Sequence, residues 1–252
     1  MPDIEDLTIL TYNKKKALLK KLKIVKGNGY YREGSFSDEI IWEGRKFVFP
    51  SPKNNASKNV WVFRSVMNNV REYLIEKRIR EKPQYPVNHW NETLSNYRGK
   101  ITATDVDHAY WRIAYLQGVI TNKTYQRGLL LKDKSLRLAS LANLASAKEY
   151  QVIKDGVLTD KTIVLKNDPT LKKVYDNIRN TCYFIMMKIA ELLGEDFICY
   201  KTDCIYYKDT KENREKVHAY LDKIGMQYKQ LVEPDRPKKD KPDGTNHGPV
   251  EN

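Results

Sequence analysis

Two β-prone runs constrain this chain more than anything else in it, because each carries an aspartate where a buried strand should not want one. The first, Ile101-Thr-Ala-Thr-Asp-Val-Asp-His-Ala-Tyr110, alternates Thr102, Thr104 and Val106 with Ile101, Ala103 and Asp105, and then passes into a helix. In the second, Phe197-Ile-Cys-Tyr-Lys-Thr-Asp-Cys-Ile-Tyr-Tyr207, two apolar runs flank Lys201-Thr202-Asp203. That is the layout of a β-hairpin with an acid at its tip. Two carboxylates converging from adjacent strands make a cradle for hard, oxygen-seeking ions such as Mg²⁺. A pair of such ions clamps the attacking and leaving oxygens of an in-line phosphoryl displacement. The plainer alternative is an Asp at a helix N-cap and another in a hairpin turn, both common.

The order and spacing of the two runs carry a resemblance. Asp105-Val-Asp-His-Ala-Tyr110 resembles motif A of family-B DNA polymerases, D-x-x-S-L-Y, and Tyr200-Lys-Thr-Asp-Cys-Ile-Tyr206 resembles their motif C, Y-x-D-T-D-S-I. The resemblance covers residues 95–226. It implies that Asp105 and Asp203 are the catalytic, metal-binding carboxylates and that Mg²⁺ or Mn²⁺ is the cofactor, as a two-metal site. It further implies that Tyr110 screens the sugar 2′ position and that Val106, His108 and Ala109 lie against the triphosphate. Motif B, K-x-x-x-N-S-x-Y-G, aligns poorly with the Ala/Leu-rich stretch after Ser135: Arg137 falls at its Lys, with Lys134 one turn earlier as the other candidate cation. The implied partners are primer-template nucleic acid and deoxynucleoside triphosphates.

Charge points the same way. The chain has 252 residues, 45 basic against 32 acidic, a net charge of +13, which suits a polyanionic partner and describes many other proteins as well. At 40% hydrophobic it can build a real core in one large or two small domains. Cys182, Cys199 and Cys204 show no C-x-x-C spacing and lie in apolar segments, which implies a reducing compartment rather than a disulfide framework or zinc site. No apolar run is long enough to span a membrane, and the start is acidic rather than a signal sequence. The expectation is a cytoplasmic protein without a membrane partner, in the host cytoplasm if a phage encodes it.

Along the chain, Lys14 to Lys23 reads as a cationic helix with Leu18, Leu19 and Leu22 as its apolar stripe. Lys14, Lys15, Lys16, Lys20 and Lys21 are candidates for phosphate contact, or simply a solvated face. Ile40–Trp42 and Lys46–Phe49 around Glu43-Gly44 predict a hairpin, and Val60–Arg80 predicts a helix with Arg71, Lys77, Arg78 and Arg80 on its outer face. Residues 88–97 read as an irregular approach. Residues 121–131 read as a short strand or loop, 135–150 as one long helix, and 151–165 as a hairpin around Asp155-Gly156. Asp168-Pro169 caps a helix whose apolar positions, from Leu171 to Leu193, are core. Residues 213–224 form another helix, and the proline-rich segment from Glu233 reads as a disordered tail.

The expected fold is α+β: a polymerase palm-like antiparallel sheet backed by helices, with a small N-terminal α/β cap and a short fingers insertion. The expected domains are a basic cap region at 1–95, a palm-like domain at 96–230 with fingers at about 119–167, and a tail at 231–252. The expected function is template-directed nucleotidyl transfer by a minimal or split polymerase of phage or mobile-element type. No exonuclease domain is expected, and too little chain follows motif C for a thumb, so a second polymerase subunit is an expected partner. Lys201 stands where the family has the first Asp of D-T-D, Cys204 replaces Ser, and His108-Ala109 replaces Ser-Leu. Lys201 is therefore read as a nucleic-acid contact, or as a charge that keeps metal out. The alternative is a catalytically inactive palm that binds nucleic acid or serves in assembly.

Overall fold

The structure, a computed structural model, describes residues 6–34, 37–51, 56–77, 79, 83–94, 96–166 and 168–232. Residues 1–5, Arg78, Arg80 and the expected tail from 233 lie outside these. In chain order the elements are β1 (Asp6–Ile9), α1 (Lys14–Ile24), β2 (Gly29–Arg32), β3 (Ser37–Trp42), β4 (Arg45–Pro50), α2 (Ala56–Glu76), β5 (Asn88–Trp90), β6 (Ile101–Val106), α3 (Ala109–Leu116), α4 (Asn122–Leu129), α5 (Lys134–Ala142), β7 (Ala147–Lys154), β8 (Val157–Lys166), α6 (Pro169–Leu193), β9 (Phe197–Lys201), β10 (Cys204–Lys208), α7 (Lys211–Lys223) and β11 (Tyr228–Val232). The fold is α+β with two mostly antiparallel sheets. The chain divides into two interleaved units, 1–86 with 108–185 and 87–107 with 186–252. The division by compactness runs through Pro86/Val87, Asp107/His108 and the Ile185/Met186 step of α6, beside the regions 1–95, 96–230 and 231–252 expected from the sequence.

The first unit holds a six-stranded sheet in the order β1-β4-β3-β2-β7-β8, antiparallel except for the parallel pair β1 and β4. Two-residue turns close two of its hairpins. Glu43 (φ 49°) and Gly44 (φ 70°) join β3 to β4, and Asp155 (φ 51°) and Gly156 (φ 77°) join β7 to β8. Positive φ at both central residues gives the twist that tight hairpins require. The β7–β8 hairpin comes from the stretch read as a fingers insertion, yet it extends the N-terminal sheet, with Gly29–Tyr31 pairing with Gln151–Ile153. One face of this sheet packs on α1: Leu22, Tyr31, Ile40, Trp42, Phe49 and Ile153 form a core joined by Leu18 and Leu19.

Two sequence expectations for the first unit are corrected. Residues 121–131 are mostly the helix α4, because the Thr121 hydroxyl accepts from the Thr124 amide (3.3 Å) and starts it as an N-cap. The long helix expected over 135–150 ends at Ala142. There the Leu144 and Ala145 amides turn back to Leu141 and Ala142 (both 3.0 Å), and the chain leaves as strand β7. Gly128 of α4 is needed for close approach: a Cβ there would lie 2.3 Å from the Trp111 ring.

The second unit holds a five-stranded antiparallel sheet, β11-β6-β10-β9-β5. The approach read as irregular contains β5, the edge strand beside β9. Burial alternates cleanly along β10: Ile205 and Tyr207 are buried, while Cys204, Tyr206 and Lys208 are half-buried. On the buried face the Thr104 and Tyr207 hydroxyls bond at 2.8 Å. The predicted α6 stripe is core from Val174 onward, with Val174, Ile178, Cys182, Ile185, Met186, Ile189 and Leu193 buried, while Leu171 at its start is half-buried. Asp168 starts the helix by accepting from the Thr170 amide (2.8 Å). The helix α7 appears as predicted and is closed by Gly225 at φ 72°. Among the described residues no helix is long and apolar enough to cross a membrane.

Candidate acidic site on the five-stranded sheet

Asp105 occupies β6, the strand between β11 and β10, and is the one residue of that strand not fully buried. Its cross-strand neighbours are Cys204 on β10 and Lys229 on β11, and directly opposed residues project from the same face of a sheet. Asp105 is thus a strand residue rather than a helix N-cap; the residue before α3 is His108, left-handed at φ 53°. Asp203 lies at the tip of the β9–β10 hairpin, as the sequence predicts, and its carbonyl accepts from the Val106 amide at 3.0 Å. Adjacent strands therefore bring the two motif aspartates to one end of one sheet.

The tip that carries Asp203 is held against a local cost. Thr202 has φ 55°, a region that a β-branched residue enters only when its surroundings impose it, at a cost of roughly 1–3 kcal/mol. The surroundings are visible: the Thr202 amide donates to the Val87 carbonyl (3.0 Å) and the Asn88 side chain (3.3 Å).

The electrostatics of the site come from its acids and two cations. Burial first, then the Asp105 and Asp203 carboxylates, push the Cys204 thiol up to about 12, against a lowering hydrogen bond with Tyr206. Both carboxylates thus act on a thiol that stays neutral. Lys229, 66% exposed, pairs with Asp107 at 2.6 Å; that hydrogen bond, with the charges of Asp107 and Asp105, raises its pKa. Lys201 places its ammonium 5.7 Å from the centre of the Trp90 ring. Asp107 and Lys229 were not singled out from the sequence; the D-x-D spacing of Asp105 and Asp107 was the available signal for the first, and nothing local marks the second.

The donor set suits a hard cation. With the thiol neutral, the ligands on offer from Asp105 and Asp203 are carboxylate oxygens. Among the described residues no three or more His, Cys, Asp or Glu side chains gather into a metal-holding group. A two-carboxylate set fits Mg²⁺ or Mn²⁺, since Mg²⁺ commonly takes one or two protein carboxylates and completes its shell with substrate phosphates and water.

The nucleotide-binding candidates fall in two places. Val106 is buried at the end of β6, in the unit that holds the acidic pair. His108, Ala109, Tyr110, Lys134 and Arg137 belong to the other unit. There the Tyr110 and Tyr183 hydroxyls bond at 3.0 Å. Arg137, 4% exposed, donates to the Gly128 (2.9 Å) and Leu131 (3.2 Å) carbonyls and lies 3.3 Å from His108 Nδ1. Its guanidinium braces the segment between α4 and α5. Lys134, the first residue of α5, is exposed. On α1, Lys14, Lys16, Lys20 and Lys21 are exposed, and Lys21 sits 5.3 Å over the Trp42 ring. Lys15 turns inward to pair with the buried Asp38 and to donate to the Tyr12 hydroxyl (3.1 Å).

No family model matches the sequence, and no curated protein matches it either.

Proposed function

We propose that this chain is a minimal palm of the family-B DNA polymerase type that catalyses template-directed nucleotidyl transfer in the cytoplasm, with Asp105 and Asp203 as the metal-binding pair. The observation that carries the reading is the convergence of two ordered motifs: β10 places Cys204 opposite Asp105, and the Asp203 carbonyl takes the Val106 amide. Bound between those carboxylates, Mg²⁺ or Mn²⁺ supplies electrostatic stabilisation to an in-line displacement at a phosphoryl group.

The chain's own residues have separable roles in this reading. Asp105 and Asp203 offer hard oxygen ligands, and the neutral Cys204 thiol does not compete for the ion as a soft thiolate would. The hydrogen bonds from Thr202 to residues 87 and 88 hold the hairpin tip, and with it Asp203, in one position. By resemblance, Val106, His108 and Ala109 lie along the incoming triphosphate and Tyr110 screens the sugar, its hydroxyl steadied by Tyr183. Of the two cations the resemblance offers for the triphosphate, the Arg137 guanidinium already braces loop carbonyls, while Lys134 is exposed. Primer-template nucleic acid and deoxynucleoside triphosphates are the partners this reading requires.

Two lysines favour a second reading, a catalytically inactive palm that binds nucleic acid. Lys229 stands opposite Asp105 and pairs with Asp107, and Lys201 occupies an acidic position of the family motif. A primer-extension assay with Mn²⁺ separates the two. Extension by the parent that is abolished in Asp105→Ala and in Asp203→Ala supports the enzyme; extension by either variant at the parent's rate removes the metal pair from the chemistry, and no extension by the parent favours the inactive palm.

A further inference from the structure

The six-stranded sheet carries a charge cluster that the acidic site does not use. Glu39 of β3 is 3% exposed. It accepts from Lys46 Nζ at 2.6 Å, from Lys148 Nζ at 2.7 Å and from the Tyr150 hydroxyl, with Arg32 Nη1 at 3.6 Å. The three cations come from three strands, β4, β7 and β2, and Arg32 is the direct cross-strand neighbour of Glu39. Three positive charges stand on one carboxylate, which leaves the cluster two charges in surplus.

A structural ion pair needs one counter-charge, and further cations of like sign repel each other in a poorly solvated site. Lys148 registers that repulsion. Burial lowers its pKa first, Glu39 raises it, and Lys46 and Arg32 lower it again. The cationic side chains nevertheless keep part of their surface in solvent, 28% for Arg32, 18% for Lys46 and 15% for Lys148. The contacts with Glu39 use one N–H of the three on Lys148, and Arg32 stands at the edge of the cluster. The arrangement is that of three cations braced by one buried acid, each with part of its side chain still in solvent.

We propose that Arg32, Lys46 and Lys148 bind a phosphate group of a nucleic-acid strand or nucleotide, with Glu39 and Tyr150 as the brace that positions the three side chains. Charge-assisted hydrogen bonds from Arg and Lys are the usual means of holding phosphate oxygens. The site involves no metal, so it stands or falls separately from the nucleotidyl-transfer reading.

The test is anisotropy of a labelled single-stranded oligodeoxynucleotide titrated with the full chain over a range of salt, with melting temperatures measured alongside. Lys148→Gln and Arg32→Gln should each weaken binding and flatten the slope of log affinity against log salt by roughly 0.7 per lost contact. Glu39→Gln should lower the melting temperature yet tighten binding, because the surplus rises from two charges to three. A purely structural cluster predicts a different result for that variant, a lower melting temperature with affinity unchanged or reduced. Should Lys148→Gln fail to fold, Arg32→Gln, the most exposed of the three, carries the test. Competition by inorganic phosphate and a nucleoside triphosphate identifies a site for the phosphate group itself, and competition by unlabelled oligonucleotide alone identifies a backbone site. No binding by the parent at low salt, or unchanged affinity and slope in both Arg32→Gln and Glu39→Gln, overturns the proposal.

Discussion

Glu39 and Asp105 both lie on interior strands of largely antiparallel sheets, and their surroundings differ in kind. Around Glu39 three cations and a tyrosine hydroxyl converge on one buried carboxylate. Burial alone would push its pKa up, but Lys46 and Lys148 outweigh burial and hold it at about 2. Asp105 is half-buried, with a neutral thiol on one neighbouring strand, a second aspartate beyond it, and on the other strand a lysine whose ion pair is with Asp107. The first acid is integrated into its fold electrostatically. The second faces a mixed set of charges near the β9–β10 hairpin, the kind of setting in which functional carboxylates are found.

Removing each acid is the most forceful way to break this comparison. Glu39→Ala leaves Lys46 and Lys148 in a poorly solvated cluster without their counter-charge and should cost about 3–5 kcal/mol, read as a large drop in denaturation midpoint. Asp105→Ala should leave the midpoint unchanged or raise it. A loss for Asp105→Ala as large as that for Glu39→Ala would make both acids structural.

Acid sharpens the same contrast. The pKa of Glu39 is lowered in the folded protein from 4.5 to about 2, so its contribution to stability is fully present above about pH 4.5 and is lost as pH falls towards 2. The size is on the order of 3 kcal/mol. Urea midpoints measured between pH 5 and 2 should fall in the parent, and less steeply in Glu39→Gln; parallel curves for the two proteins would show that Glu39 does not carry the effect.

A smaller effect tests the strained tip. Thr202→Gly removes the left-handed penalty at φ 55° and should stabilise the protein by up to about 1 kcal/mol, the relief being partly offset by glycine's backbone entropy. Stability lowered by that change would mean the Thr202 side chain contributes more than its backbone strain costs.

How much of this was legible in the sequence depended on whether the signal was local. Glu43-Gly44 and Asp155-Gly156 announce their hairpins because the turn itself demands positive φ, and Asp168-Pro169 announces α6 because cap and first helical residue are adjacent. The partner of the second hairpin was hidden: alternation along 147–166 tells which residues share a face, whereas pairing with Gly29–Tyr31 depends on chain closure over more than a hundred residues. Residues 135–150 misled for a related reason. The Ala/Leu run favours helix throughout, and only the turn at Leu144–Ala145 and the pull of the sheet convert its end into β7. Of the two acid sites, Asp105 and Asp203 were visible because each interrupts a β-prone run in an ordered motif. Glu39 was not, since its cations lie on three other strands and its one sequence signal, the adjacent acids Asp38-Glu39 leading into Ile40–Trp42, points to no partner.

The most direct test of the central claim is Mn²⁺ uptake by the protein without nucleotide, followed by loss of the free-ion paramagnetic resonance signal. The account predicts uptake by the parent that disappears in Asp105→Ala and in Asp203→Ala, with both variants melting at or above the parent's temperature. No uptake by the parent, or full uptake by either variant, would contradict it.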